Sequence, residues 1–452
     1  MNEEEPQWPE DMQGDEPTEA QEPELELPGL LPEEFWKKRE AFQQIRQAAY
    51  ARRCSADVVF WATMARLSGM VSHRIRVDSG IGKPASLNLF VAIVGPPGAG
   101  KSTSSGLSAD LMDAPDDFLD GLPIGTGEGM CEVFMGEVEV ETGKYDRSGE
   151  PVMTKMRAQV NHNAYFYVDE GGALTQNGQR SSSVLNETIR SAAIGGTIGQ
   201  TNASADRKRL IKGDSYSMGM VVGYQPVTAL PLLADADTGT PQRFFWSWVL
   251  DPNIPKKRPP YPGKLVNHLG SWRPDFDVIL EIPERIQNLL DEDLQARRSG
   301  KVVVDTLDGH AGLMKVKACA LLAILDNRKT ITEEDWELAE MLWEASCLVR
   351  NSLVARARRE ADAARKAEED AAVNLAVRTH EAKSNVDHNL ERIARRVQKL
   401  TAKGGVGGVT WGALRRELES KDRPLLEQGI GLAVSRGWVV EDGDRICIAI
   451  ED

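Results

Sequence analysis

The chain has few cysteines and no long apolar run. Its 5 cysteines are scattered over 452 residues, without a Cys-x-x-Cys pair or paired histidines. This pattern argues against a disulfide framework and against a zinc site, and it fits a reduced cytoplasm. No apolar run reaches about 18 residues, so we expect no membrane-spanning helix. The sequence therefore predicts a cytoplasmic protein without a membrane partner.

Basic residues are missing from the amino-terminal segment. Residues 1–34 hold 13 of the 69 acidic residues and no Lys or Arg. The segment is rich in Glu and Pro, which is typical of disorder, and it lacks the basic start and apolar core of a signal peptide. The rest of the chain has 56 acidic and 54 basic residues and is nearly neutral. The net charge of -15 therefore says little about the partners of the folded part.

Nearly continuous apolar runs alternate with helical patterns along the middle of the chain. Such runs are typical of strands buried on both faces, so a parallel α/β sheet is expected. The predicted organisation is an acidic tail (1–34), a helical segment (35–85), an α/β core (86–275), a helical segment (276–350), a charged helical linker (351–386) and a small carboxyl-terminal domain (387–452). The runs predicted as strands of the core are 86–95, 163–170, 215–226 and 242–250, and residues 136–160 are predicted to be an inserted loop or hairpin.

A phosphate-binding motif follows the first of these runs. GPPGAGKS matches G-x-x-x-x-G-K-[ST] and lies between a predicted buried strand and a predicted helix. Its backbone N–H groups and the following helix start can hold phosphate oxygens. Lys101 would reach the outer phosphates, and the Ser102 hydroxyl could bind Mg²⁺. The motif predicts a site for ATP and Mg²⁺ formed by Gly95, Pro96, Pro97, Gly98, Ala99, Gly100, Lys101, Ser102 and Thr103.

Polar residues end the second and third runs, and an arginine stands before the apolar part of the fourth. Asp169 could hold Mg²⁺, and Glu170 could activate an attacking water, unless the strand simply ends in a charged turn. Gln225 could reach the γ-phosphate or the water, or it could be a turn amide. Arg243 precedes the fourth run and could stabilise phosphate charge in a neighbouring subunit, or it could form a surface ion pair. We expect Glu170, Gln225 and Arg243 to be catalytic.

The segment NASADRKRLIKGD, residues 202–214, holds four bases between two apolar runs. A run of charges usually faces solvent, so a solvated turn is the simplest interpretation. Contacts with a nucleic acid backbone are the alternative, because they need charge and no base reading. The candidate residues are Arg207, Lys208, Arg209 and Lys212.

The ordered set GPPGAGKS, YFYVDE, DRKR, VVGYQP and QRFFW resembles the AAA+-type superfamily III helicases of phages, plasmids and mobile elements. The resemblance covers about residues 35–350. It implies a hexameric ring whose pore is lined by the basic hairpin at 207–209, an arginine finger at Arg243 and a helical lid. Lys315 or Lys317 is a candidate second sensor of nucleotide. The usual sensor residue of the family is Asn, whereas this chain has Gln225.

The last 65 residues resemble a winged helix, which binds duplex DNA or another protein. The candidate bases there are Arg415, Arg416, Lys421, Arg423 and Arg436.

These features favour a ring-forming ATP-dependent DNA translocase or helicase that serves replication of a mobile element. Since no primase metal site is visible, priming would require a separate primase or replication partner. One alternative is a nucleotide-switched loader or initiator scaffold that does not unwind DNA. Another is an AAA+ protein remodeller, whose pore loop would carry an aromatic–hydrophobic pair in place of DRKR.

Overall fold

Two compact units divide the chain, one ending at Ala357 and the other beginning at Arg358. The computed structural model describes residues 27–179, 184–200, 209–266 and 269–449. The strands of the first unit are β1 Ile75–Asp78, β2 Ala85–Ser86, β3 Leu89–Val94, β4 Leu119–Leu122, β5 Met135–Tyr145, β6 Pro151–Gln159, β7 Asn163–Val168, β8 Ile198–Gln200, β9 Arg209–Ile211, β10 Ser217–Tyr224, β11 Phe244–Trp248 and β12 Val278–Glu281. Its helices are α1 Glu33–Lys37, α2 Glu40–Ala51, α3 Ala56–Met70, α4 Lys101–Leu111, α5 Gly127–Glu132, α6 Gly171–Gln179, α7 Leu185–Ala193, α8 Pro226–Ala234, α9 Glu284–Arg298 and α10 Ala311–Leu325.

A five-stranded sheet forms the centre of the first unit, in the order β11-β3-β10-β7-β4. Every neighbouring pair in this sheet is parallel. The mixed α/β fold with a parallel sheet is thereby confirmed, and four of its strands are those that the apolar runs predict. The edge strand β4 was not predicted, because LDGL is short and only half apolar.

The sheet is covered on both faces, which explains its apolar strands. Successive side chains of β3 alternate between two hydrophobic clusters: Leu89, Val91 and Ile93 join one, and the residues between them join the other. The first cluster includes α3, whose 15 residues are all buried. This helix approaches the sheet closely, since a Cβ added at Gly219 of β10 would lie 1.8 Å from Ala65 O.

The predicted amino-terminal helix is divided into three helices, α1, α2 and α3. Ser55 caps α3, because its side chain accepts a hydrogen bond from the Val58 N–H group. The segment at 136–160 is an antiparallel hairpin, β5–β6. One prediction is wrong: the chain does not become helical directly after Phe276, because β12 first pairs with β1 in a second sheet. The branched side chains of VILE suit this extended edge.

A 71-residue helix, α11 Glu333–Lys403, begins in the first unit and ends in the second. Its start has a reciprocal cap: the Asp335 N–H group donates to Thr332 Oγ1 at 3.4 Å, and Thr332 N–H donates to Asp335 Oδ2 at 2.8 Å. Residues 358–381 of this helix are exposed, as the charged sequence at 351–384 predicts. The helix that was predicted to end near residue 350 therefore continues through the linker.

The second unit has its own small core. The carboxyl-terminal end of α11 packs with α12 Trp411–Glu417 and α13 Leu426–Ser435. A three-stranded sheet with the order β13-β15-β14 completes it, formed by β13 Val409–Thr410, β14 Val439–Asp442 and β15 Arg445–Ile448. A turn at Asp442-Gly443 joins β14 to β15, and Gly443 has a φ of 62°.

Candidate functional site

The glycine-rich loop lies between β3 and α4, at the carboxyl edge of the central sheet. Gly98 and Gly100 have φ angles of 74° and 85°, the left-handed region that glycine adopts without strain. No atom lies within 4 Å of a Cβ added at either position, so backbone conformation is what requires glycine there. Gly100 is the cap of α4, whose first N–H groups point toward the loop with the positive end of the helix dipole.

Lys101 folds back onto this loop. Its Nζ donates hydrogen bonds of 3.0 Å to Gly95 O and to Pro96 O. Both acceptors are neutral carbonyls, so a phosphate group would be the stronger partner for the ammonium group. The loop and its lysine together can hold an anion.

The acidic pair follows β7 directly, and both carboxylates are exposed. Asp169 accepts a 2.9 Å hydrogen bond at Oδ1 from the Tyr167 hydroxyl. Burial, and then the nearby Asp169 carboxylate, raise the pKa of Tyr167 well above its usual value. Tyr167 therefore stays protonated and acts as a donor that orients Asp169.

Strand β10 separates β7 from β3 and brings their loops together. A Cβ added at Gly223 would lie 2.6 Å from Asp169 O and 3.6 Å from Lys101 Cδ. Gln225 follows the strand and begins α8, and its N–H group donates to Thr228 Oγ1 at 3.0 Å. The absence of a side chain at Gly223 thus lets Lys101 and Asp169 approach each other.

One cleft of about 410 Å³ joins these elements at the carboxyl ends of β3, β7 and β10. This is the edge at which open α/β sheets bind ligands. Five residues predicted to act together, Lys101, Ser102, Asp169, Glu170 and Gln225, all line it. The rest of its lining comes from the glycine-rich loop, Gly223 and the starts of two helices: Pro97, Gly98, Gly100, Gly172, Ala173 and Thr228.

Arg243 lies away from this cleft. It precedes β11, whose first residue Phe244 pairs with Phe90 near the start of β3, at the opposite edge of the sheet. Its Nη1 donates to Gly239 O, whereas its Nε has no hydrogen-bond partner in the described part of the chain. Burial, and then the neighbouring Arg190, lower the pKa of Arg243. Arg243 thus does not contribute to the cleft of its own chain.

The predicted basic loop belongs to a second hairpin, formed by the antiparallel strands β8 and β9. Arg207 and Lys208 lie outside the described residues, and Lys212 is exposed. Arg209 pairs with Gln200 at the end of the strands next to the connecting segment. Its Nε donates to Glu132 Oε2 at 2.6 Å, and its Nη1 lies 3.3 Å from Glu128 Oε2. The hydrogen bond to Glu132 is the main cause that raises the pKa of Arg209.

The two candidate second-sensor lysines also lie elsewhere. Lys317 is buried and donates a 3.0 Å hydrogen bond to Asn88 O and another to Ala193 O. Burial, with a further effect of Arg243, lowers the pKa of Lys317 to about 7. Lys315 forms a 3.3 Å ion pair with Glu340. Neither lysine lines the cleft.

Four of the five candidate bases in the carboxyl-terminal unit have local partners, and one of these is Arg416, whose Nε donates to Gly412 O at 3.2 Å. Arg436 pairs with Glu391 at 3.5 Å, and Lys421 pairs with Glu419 at 2.9 Å. Arg423 Nε donates to Leu418 O at 3.2 Å. These contacts reduce the number of bases that are free to meet a nucleic acid.

The sequence analysis does not predict Thr228, which lines the cleft, or Tyr167, which donates a hydrogen bond to the cleft residue Asp169. Tyr167 stands two residues before Asp169, so strand alternation already places both on the same face. Thr228 stands three residues after Gln225, the spacing of a reciprocal helix cap. Both signals are in the sequence, but they become specific only once the neighbouring strands are known.

Comparison with models of known protein families found no match, and comparison with curated proteins found none either. In the described part of the chain, no helix is long and apolar enough to span a bilayer. Nor do the described His, Cys, Asp and Glu side chains form a group of three or more that could hold a metal. All five cysteines are free.

Proposed function

We propose that the chain is an AAA+-type P-loop ATPase that moves along or unwinds DNA as a ring. The observation that carries the ATPase part is the single cleft in which Lys101, Ser102, Asp169, Glu170 and Gln225 converge. Its volume of about 410 Å³ is in the range of small-molecule sites. These residue types, on a glycine-rich loop before a helix, suit a nucleoside triphosphate.

Mg²⁺ fits the residues at this edge. The Ser102 hydroxyl and the Asp169 carboxylate supply the oxygen ligands that this hard cation prefers. Asp169 is oriented by the Tyr167 hydroxyl, as carboxylate ligands of metals commonly are. When bound, Mg²⁺ would neutralise charge on the phosphate oxygens.

The residues of the chain then have distinct roles. Lys101 exchanges its carbonyl partners for the outer phosphates, because a charged acceptor binds an ammonium group more strongly. The exposed Glu170 carboxylate takes a proton from the attacking water. Gln225, which directly follows β10, holds the water or the γ-phosphate in position. Their convergence favours hydrolysis over simple nucleotide storage.

Three features support the AAA+ and helicase part of the proposal. The β8–β9 hairpin lies between β7 and β10, where the resemblance to superfamily III helicases places a pore hairpin. Helices α9 and α10 follow the core, as a lid would. The second unit combines three helical segments with a three-stranded sheet, which suits a winged helix. The ring is proposed to be a homo-hexamer that serves a phage or mobile element, with Arg243 reaching a neighbouring subunit.

A loader or initiator scaffold without unwinding activity remains the second candidate. It is favoured by one observation: Arg209 is held by Glu128 and Glu132. The hairpin then offers fewer free bases to a moving strand than its sequence suggests. A nucleotide-switched scaffold needs fewer such contacts than a motor.

One experiment separates the two candidates. ATP hydrolysis by the full chain is measured with and without a DNA fork, and fork unwinding is followed in the same reaction. A motor predicts DNA-stimulated hydrolysis and strand separation. Nucleotide-dependent DNA binding with no strand separation would instead establish the scaffold, and hydrolysis absent under all conditions would contradict both the motor and the ATPase.

A further inference from the structure

A cluster of exposed bases lies where α2 ends and where the chain continues after β11. We call it the basic patch, and it consists of Arg52, Arg53, Lys256, Lys257 and Arg258. Arg53 joins its two parts, because its guanidinium donates to Pro255 O and to Lys256 O. The patch is therefore one surface assembled from two distant parts of the sequence.

Further contacts hold the two parts together. Gln47 Nε2 on α2 donates to Pro260 O at 2.9 Å, and the Arg52 guanidinium lies 5.1 Å from the Tyr261 ring centroid. Within the described residues, no carboxylate forms an ion pair with any of the five bases of the patch. Like charges held this close repel one another, so an anionic partner would stabilise the arrangement.

The carboxyl-terminal end of the acidic tail lies beside this patch. Leu31 N–H donates to Asp57 Oδ2 at 2.9 Å, and Asp57 is only four residues beyond Arg53. Trp248 links the two regions, because its Nε1 donates to Pro28 O at 2.9 Å and its carbonyl accepts from Ser55 Oγ at 3.4 Å. Four residues span at most about 14 Å and 26 residues up to about 85 Å, so residues 1–26 can reach the whole patch.

The charges of tail and patch are complementary. Residues 1–26 carry 11 carboxylates and no Lys or Arg. We infer that this acidic segment docks on the basic patch of its own chain and competes there with other polyanions. Tethering supports this occupant, because two groups joined by a short stretch of chain meet at an effective concentration on the order of millimolar. The inference does not depend on the proposed ATPase activity.

Zero-length carbodiimide crosslinking of the full chain tests the contact directly. Amide links from Lys256 and Lys257 to carboxylates of residues 1–26 are expected, and they should fade in about 1 M salt, where the screening length falls from about 10 Å to about 3 Å. The exposed hairpin residues Lys144 and Lys155 are the controls. Equal crosslinking of patch and control lysines to the tail would overturn the inference.

Isotope mixing distinguishes the same chain from a second copy. Labelled and unlabelled chains are mixed before crosslinking, and the linked peptides are weighed. Pairs of a single isotopic composition are expected for docking within one chain. Mixed pairs in statistical proportion would contradict it and would assign the patch to a neighbouring copy.

A single-stranded oligonucleotide tests the competition. In one variant the 11 tail carboxylates are replaced by Asn and Gln, and in another the patch carries Lys256→Gln, Lys257→Gln and Arg258→Gln. Arg53 is kept, since it holds the backbone of the patch. Tail neutralisation should strengthen oligonucleotide binding at least about fivefold with the native patch, and far less with the substituted patch. If binding depends on the patch but not on the tail charges, nucleic acid is the occupant and tail docking is wrong.

Discussion

Lys101 donates hydrogen bonds to two carbonyl groups of its own loop, and we expect it to contribute to nucleotide binding. Replacing it by Ala removes the only side-chain cation among the residues that line the described cleft. Hydrogen bonds to charged groups contribute about 1.5–3 kcal/mol, so Lys101→Ala should weaken ATP binding roughly 10–150-fold. Fluorescence titration with a labelled ATP analogue measures it, with the exposed Lys155→Ala as the control. Unchanged affinity would contradict the phosphate role of Lys101.

Tyr167 gives a second prediction about a single residue. Tyr167→Phe keeps the ring but removes the hydroxyl that donates to Asp169. Loss of a hydrogen bond to a metal ligand lowers metal affinity about 10–100-fold. The Mg²⁺ concentration needed for half-maximal hydrolysis should therefore rise by about that factor. A Mg²⁺ titration at saturating ATP checks it. A lower maximal rate with an unchanged Mg²⁺ requirement would show that Tyr167 does not act through the metal site.

The sequence predicts the residues that line the cleft better than the residues that hold them in position. GPPGAGKS, Asp169 and Glu170 follow apolar strands, and parallel strands bring their carboxyl ends to one edge. Tyr167 and Thr228 were not predicted, because their local hydrogen bonds to Asp169 and Gln225 become informative only once the neighbouring strands are known. The ion pairs of Arg209 could not be predicted, because Glu132 is 77 residues away in the sequence.

At the scale of elements, the amino-terminal segment is fastened to α3 through a buried carboxyl group. Asp57 accepts the Leu31 N–H hydrogen bond, and burial raises the pKa of Asp57 to about 8. The pKa of Asp in the unfolded chain is about 3.9. The contribution of Asp57 to the free energy of unfolding is therefore fully present below about pH 4 and is lost as the pH rises through 8. Asp57→Asn keeps an acceptor and should be more stable than wild type by on the order of 1–5 kcal/mol near pH 9.

Thermal unfolding of Asp57→Asn and wild type across this pH range checks the prediction. The difference should shrink as the pH falls and should vanish below about pH 4, where the wild-type carboxyl becomes neutral in both states. The exposed Asp275→Asn substitution should show no such dependence. A constant difference at all pH values would mean that ionisation of Asp57 is not its cause.

The β8–β9 hairpin separates its bases into two groups. Arg209 is paired with carboxylates, whereas Arg207 and Lys208 lie outside the described residues, in the sequence between β8 and β9. We expect Arg207→Ala with Lys208→Ala to reduce single-strand affinity and to lower the slope of log affinity against log salt by roughly 1.4, or about 0.7 per contact. Basal ATP hydrolysis should remain. An unchanged slope in anisotropy titrations would return this loop to the solvated-turn interpretation.

Strands are predicted more securely than their order. Apolar runs identify β3, β7, β10 and β11, because a strand covered on both faces must be apolar throughout. The short edges β4 and β12 lack that signal. The order of the sheet and the pairing of β12 with β1 depend on contacts between distant segments, which no local pattern contains.

At the scale of the whole molecule, substitution of Arg243 tests the proposed ring. It lies at the sheet edge opposite the cleft, so it can assist hydrolysis only in another subunit. Arg243→Ala and Lys101→Ala proteins should each be inactive alone, and mixing them should restore part of the activity through interfaces that contain both native residues. Hydrolysis measured across mixing ratios checks this. Absence of rescue in rings that are shown to mix would contradict action between subunits.

The most direct test of the central claim is phosphate release from ATP by the wild-type chain and by Glu170→Gln. Wild type should hydrolyse ATP with Mg²⁺. The variant keeps Lys101, Ser102 and Asp169, so it should bind ATP equally well but lose at least about 100-fold in turnover, because it lacks the carboxylate that accepts the proton. Equal rates in the two proteins, or failure of wild type to bind ATP, would contradict the account.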